Sequence, residues 1–262
     1  MPPHCSEPRP AAASRHRDCI DAAQIASRPV REHDSPSDLS ATVEPGHDWS
    51  AVERAAAAMR RLNQALANRR VDDEVLDEIT ATVEATAARL EQGTLRVKID
   101  DMLSRPYLRE IYEGQYFPLP LEPGDEIEFD PFSIGGGTLH PASVNVRYFK
   151  ESDDAVTGEA VVDPMFAGPP ERTHGGVVAL IIDELMGALN RMRGRQAYTG
   201  RLTVHYRAAT PLGAPLHLRA WIESTSGRKI VQHAEVHGPE GLCVNAEGLF
   251  ILRADAPPIP EG

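Results

Sequence analysis

The sequence predicts an α+β fold in which an antiparallel sheet carries one buried helix, and three observations carry that reading. From about residue 125 onward the apolar pattern has a period of two, as in half-buried strands. Inside that region, the run from His174 to about Asn190 is apolar almost all round, as in a helix buried on most sides. The resulting order is strand, strand, helix, then four strands. It lacks the alternation of strand and helix that builds a doubly wound parallel sheet.

Before the sheet, residues 1–47 mix Pro, Ser, Ala, Arg and Asp without a period and read as a disordered tail. Residues 48–124 read as a helical extension and its connection. Ser50 with Glu53 has the spacing of a capping box, and Val52, Ala55, Met59, Leu62 and Leu66 follow at helical intervals. Asp72 is placed to cap a second helix with a stripe of Val75, Ile79, Val83, Ala87 and Leu90, ending before Gly93. The short link at 68–71 favours an antiparallel pair. Pro106, Pro118 and Pro120 among Tyr107, Tyr112, Tyr116 and Phe117 predict an ordered irregular connection over 94–124.

In the sheet region, Val144, Val146 and Tyr148 alternate, then Val156, Gly158, Ala160 and Val162. After the helix come four further alternations, beginning at Leu202, Leu216, Ile230 and Val244. Pro211–Gly213, Ser226-Gly227 and Gly238–Gly241 supply the turns.

Composition narrows the function classes. The chain has 262 residues, 41% of them hydrophobic, within the globular range and enough for one or two domains. Its 39 acidic residues against 27 Lys and Arg, a net charge of -12, give no footprint for a general nucleic-acid binder. Cys5, Cys19 and Cys243 are too scattered for a disulfide scaffold or a cysteine metal cluster. No apolar run is long enough to span a membrane, and no apolar core with a cleavage site opens the chain. A cytoplasmic protein with no nucleic-acid partner, no membrane partner, no cofactor and no metal is expected.

Two features of the central helix carry chemistry. Thr173-His174-Gly175-Gly176 stands at its start, with Thr173 or a neighbour as cap. Paired glycines there let a ligand approach amides that lack an intrahelical partner, at the positive pole, as an oxyanion site requires. Tight packing of the helix start against a strand explains them equally. The second feature is Asp183-Glu184 within the apolar run. A carboxylate in a buried helix costs on the order of several kcal/mol unless it is paired or hydrogen-bonded. Raised acids cluster at active sites, and structural ion pairs also occur. Glu184 is read as the solvent-facing member or as the partner of an arginine. Asp183 lies eight residues after Gly175, about 12 Å along the axis and roughly 80° around it. One protomer cannot easily aim both at a single carbonyl. Two copies, antiparallel across a two-fold axis, bring the amide of one to the acid of the other.

Phe166-Ala167-Gly168-Pro169-Pro170, Thr173-His174-Gly175-Gly176 and Asp183-Glu184, followed by Thr199–Tyr206 and Pro211-Leu212-Gly213, resemble the hotdog-fold thioesterase superfamily, in its phenylacetate-pathway (PaaI-like) branch. The resemblance covers about residues 140–252. It implies a hotdog fold over 125–262, a long helix wrapped by an antiparallel sheet. It also implies a homodimer or homotetramer that hydrolyses acyl-CoA thioesters at shared sites. By motif, Asp183 matches the catalytic carboxylate and Gly175 the residue whose amide holds the thioester oxygen, with Gly176 beside it. Thr199 matches a Ser or Thr that positions the acid or water, and His174 the motif histidine. Gly168 stands where some relatives carry an Asn, so the hydrogen bond that positions the thioester or water in those relatives is absent or replaced. Asp183 would deprotonate a water or attack directly to give a mixed anhydride. Arg201, with Arg147 and Arg207, is read as a contact for CoA phosphates or as part of a solvated strand face. Ser133-Ile134-Gly135-Gly136-Gly137 lacks the rest of a nucleotide fingerprint and reads as a turn or strand approach beside the ligand. A non-catalytic acyl-CoA sensor and a hotdog hydratase or dehydratase are the alternative functions.

Overall fold

The computed structural model describes residues 48–93, 118–128 and 130–254. The tail expected over 1–47 and the greater part of the irregular connection, 94–117, lie outside the described residues. Two helices come first, α1 (Ser50–Asn68) and α2 (Asp73–Leu90). Strands β1 (Arg147–Ser152) and β2 (Ala155–Val161) follow, then a 3-10 turn at Pro164–Phe166 and helix α3 (Gly175–Met192). Strands β3 (Ala197–Tyr206), β4 (Pro215–Ser226), β5 (Lys229–Gly238) and β6 (Gly241–Leu252) complete the order.

All strand pairs are antiparallel, in one six-stranded sheet of order β1-β2-β4-β5-β6-β3. Helix α3 touches every one of the six strands, so the sheet curls round it. This is the hotdog arrangement. Val178, Ile181, Ile182, Leu185, Met186 and Leu189 of α3 are buried against Val156, Leu216, Leu218, Ala234, Val244 and Phe250 from the sheet. Each such side chain is worth about 1.5–3 kcal/mol on burial. A Cβ at Gly248 would collide with Met186 and Phe250, so a bare backbone is what lets helix and sheet meet this closely. One face of α3, Gly176, Ala179, Leu180, Asp183 and Gly187, is left half-buried or exposed in the single chain. The C-terminal end closes as its glycine predicts. Gly194 has φ +64° and the Arg195 amide reaches the Asn190 carbonyl at 2.8 Å. Arg191 is buried, and Arg193 pairs with Asp154 at 2.6 Å. Among the described residues, no helix is long and apolar enough to cross a membrane.

Three local expectations are corrected. Ser50 does not cap α1; Trp49 holds the N-cap position, and the Asp48 carboxylate takes the Ser50 amide at 2.9 Å. The alternation at Val144 and Val146 is not yet strand. Their amides bond the Ile134 and Gly135 carbonyls at 2.9 and 3.0 Å, and β1 begins only at Arg147. The two N-terminal helices form but do not pack along each other. Helix α1 docks on the body instead. Trp49 meets Phe132 edge-on with ring centroids 5.2 Å apart, Val52 packs on the same cluster, and Arg60 donates to the Thr138 and His140 carbonyls. The Ala-rich stripe of α2 buries no residue and leaves Val75, Val83 and Leu90 exposed.

Unequal docking makes unequal substitutions. Trp49→Ala is expected to lower unfolding stability by about 2 kcal/mol, less than a fully buried tryptophan would cost. Val83→Ala should stay within about 0.5 kcal/mol of the parent, as exposed sites do. Urea unfolding of the two variants measures both, and a similar loss from each would contradict this difference in docking.

Candidate functional site

Asp183 lies on the half-buried face of α3, and its carboxylate is bound by the nearest strand. Thr199 Oγ1 donates to Asp183 Oδ1 at 2.8 Å. That contact depends on a bulge. Thr199 pairs with Phe250 and Arg201 with Leu249, so Gly200 is the extra residue in β3. Side chains alternate across a strand, and Leu202 and Val204 point to the core. Without the bulge, Thr199 would share the opposite face. The inserted residue reverses the phase, and Ala197 and Thr199 turn toward the helix while Tyr198 is 60% exposed.

At the start of α3 the cap is His174, not Thr173. The imidazole Nδ1 accepts the Gly176 amide at 2.9 Å, so a neutral ring carries its proton on Nε2. Thr173 is buried and donates to the Pro211 carbonyl. His174 is itself anchored by its amide to the Phe166 carbonyl at 2.9 Å. The Gly176 amide is therefore occupied. Among the described residues, no acceptor meets the Gly175 amide. The Gly175 carbonyl accepts from Tyr206 Oη at 2.7 Å. Gly175 and Asp183 thus stand at separate points of one helix, with Thr199 beside the acid.

Glu184 departs from expectation. It is neither the solvent-facing acid nor the partner of an arginine. Its carboxylate accepts from Ser133 Oγ at 2.8 Å, from the Gly135 and Gly136 amides at 2.9 and 3.2 Å, and from Tyr148 Oη at 3.2 Å. Four donors replace water around one charge, which is how a carboxylate is tolerated beside a core. The glycine run is the cradle. A Cβ at Gly135 would strike the Glu184 carboxylate, and one at Gly136 would strike Tyr148 and the Val146 carbonyl. Burial, reinforced by the Glu184 charge, pushes the Tyr148 hydroxyl far above the usual phenol range, so it stays a donor. The signal lay in the sequence as Ser-x-Gly-Gly-Gly next to an unexplained acid, but nothing in it joined positions 133–137 to 184.

The arginines singled out as phosphate contacts are engaged by neighbouring side chains. Arg201 pairs with Glu247 at 2.7 Å, Arg147 with Glu126 at 2.7 Å, and Arg207 bonds Asn245. A cavity of about 450 Å³ beside Tyr148 is rimmed by Glu126, Glu128 and Asp130, a lining that disfavours phosphates, and it does not include Asp183. Among the described residues, no three His, Cys, Asp or Glu side chains gather as metal ligands would.

Residues 172–244 match the family model described as Thioesterase superfamily. A crystal structure described as a thioesterase superfamily protein aligns over 80% of this chain and 94% of its own, at 28% identity and a TM-score of 0.60. Residues 172–244, within the hotdog fold described above, carry the likeness to the hotdog-fold thioesterase superfamily. Within this superfamily, the acyl-coenzyme A thioesterase THEM4 of Xenopus laevis is 34% identical over 90 residues, which are 34% of this chain. That match spans 40% of the relative's own length. The PaaI protein from the phenylacetic acid degradation operon of E. coli aligns at 13% identity and a TM-score of 0.40, over 41% of this chain and 83% of its own.

The carboxylate cradle generates a stability prediction. Glu184→Gln keeps the shape but turns an N–H₂ toward donors that need an acceptor. It should lower stability by about 2–3 kcal/mol, the scale of leaving buried donors unsatisfied near a lost charge. Chemical denaturation checks this, and a stability unchanged from wild type would show that the cradle does not need the charge.

Proposed function

We propose that the protein hydrolyses acyl-CoA thioesters to the free acid and CoA, with residues 125–262 as the thioesterase domain and 48–124 as its helical extension. The observation that carries this reading is the hydrogen bond from Thr199 to Asp183 on the same helix whose first amide, Gly175, is without an acceptor. One carboxylate and one preorganised donor are sufficient for a thioester, a reactive acyl donor. Asp183 takes a proton from water as oxygen attacks the carbonyl carbon. The Gly175 amide donates a hydrogen bond to the developing oxyanion. The C–S bond then breaks and the thiolate leaves with a proton. Thr199, holding Oδ1, orients the acid.

Acid and amide belong to different copies in this reading. Their offset of about 12 Å on one helix prevents both from meeting one carbonyl. The half-exposed face of α3 that bears Asp183, with its small neighbours Gly176, Ala179 and Gly187, suits a second α3 across a two-fold axis. The catalytic unit is then a homodimer, alone or within a homotetramer. Coenzyme A phosphates approach near Arg201, with His174 and Gly176 beside the acyl head.

Purified protein is expected to release free thiol from at least one member of an acyl-CoA panel, without added metal or nucleotide. Asp183→Asn should lower kcat by about 100-fold or more while binding persists, the scale of a lost general base. Thr199→Ala should cost less. Wild type that binds acyl-CoA without hydrolysing any panel member would favour a sensor, and wild-type turnover by Asp183→Asn would make the acid structural. Single turnover in ¹⁸O-water tests for the direct route, because a mixed anhydride opened by water at the Asp183 carbonyl leaves label on Asp183 and passes an unlabelled Asp183 oxygen to the acid, whereas the general-base route leaves Asp183 unlabelled.

A further inference from the structure

Resting on that hydrolytic reading, we propose that Tyr206 is a positioning residue for the Gly175 amide, so that β3 sets both halves of the hydrolytic machinery. Tyr206 ends β3, and its hydroxyl donates to the Gly175 carbonyl at 2.7 Å. Its ring also packs on Gly175. A Cβ there would lie 3.3 Å from Oη and 3.4 Å from Cζ. Tyr206 follows the core-facing phase of Leu202 and Val204, yet it is 53% exposed, because at the strand end the ring leaves the core to reach the helix start.

Two consecutive glycines at a helix start have more backbone freedom than any other pair, and the first turn has the fewest hydrogen bonds to restrain it. An amide aimed at an oxyanion needs the opposite property, one fixed direction. Three bonds supply it. His174 holds the amide that follows Gly175, the Phe166 carbonyl holds the amide that precedes it, and Tyr206 holds the Gly175 carbonyl itself. Thr199 holds Asp183 from the other end of the same strand. When sites are shared, the amide and acid of one chain work in different sites. A single β3 therefore serves two reactions, Tyr206 in one and Thr199 in the other.

Tyr206→Phe removes the hydroxyl and keeps the ring. It is expected to reduce kcat about ten-fold, short of deleting an oxyanion donor outright, with KM within about two-fold. Thermal unfolding should be unchanged, and amide exchange at Gly175 and Gly176 should quicken. A doubly tagged heterodimer then tests the division of labour. Tyr206→Phe paired with Asp183→Asn leaves one site fully wild type, so about half of wild-type activity per dimer is expected. If Tyr206 served the Asp183 of its own chain, that heterodimer would show only about a twentieth. Wild-type kcat in Tyr206→Phe, or a loss confined to KM, overturns the positioning role. Activity of the heterodimer no higher than that of Tyr206→Phe alone overturns the assignment to separate sites. If Tyr206→Phe unfolds earlier in step with its loss of rate, the role is structural and the proposal fails. Wild type that hydrolyses no acyl-CoA overturns the hydrolytic reading, and this proposal with it.

Discussion

Two carboxylates on consecutive residues of a helix that touches six strands must each be solvated by protein. Asp183 and Glu184 differ by about 100° around the α3 axis, so they face different walls of the fold. Toward β3, Asp183 meets a single threonine hydroxyl and otherwise borders the half-open face. Toward β1, Glu184 meets four donors from the glycine segment and Tyr148. The same chemical group is left available on one side and fully engaged on the other. Much of the architecture outside the sheet answers to the second requirement. The segment 130–146 folds back onto α3 to supply amides, and α1 in turn packs on that segment through Trp49, Val52 and Arg60.

Much of the sheet and central helix was legible in the chain. Period-two alternation marked β2 and β4 to β6 on their observed inner faces, and the all-round apolar run marked α3, because burial there depends on the local pattern alone. Long-range contacts were not legible. The Glu184 cradle joins residues about fifty positions apart through backbone amides, which carry no side-chain signature. Nor could alternation orient β3. It placed Leu202 and Val204 inward correctly and would have placed Thr199 outward, since a bulge leaves no periodic trace. Thr199 came from motif resemblance, whereas the Tyr206 face followed from the strand pattern. Helix α2 misled for a related reason. An amphipathic stripe states that a face can be buried, not that this chain buries it.

Polar satisfaction also explains the role of His174. A threonine one residue earlier has the better capping chemistry by type, yet Thr173 is spent on tying the turn before α3 to the Thr210-Pro211 segment. The imidazole then closes the helix start. By taking the Gly176 amide it leaves Gly175, among the described residues, as the one open donor at that end. A two-donor pole is reduced to one pointing direction, which is a statement about geometry rather than strength.

The extra residue at Gly200 has an evolutionary consequence. Most substitutions in a strand preserve which positions face inward, whereas forming or losing a bulge at fixed length exchanges the two sets on one side of it. Drawing Gly200 into the ladder as a paired residue would leave Leu202, Val204 and Tyr206 on the core face, set Gly200 opposite Phe250 and turn Thr199 away from the acid. The surroundings of Asp183 are therefore carried in the reading phase of one strand segment, separable from the core that the rest of the strand builds. Gain or loss of the bulge at that point replaces the neighbour of the acid in one step without remaking the wrap of the sheet around the helix.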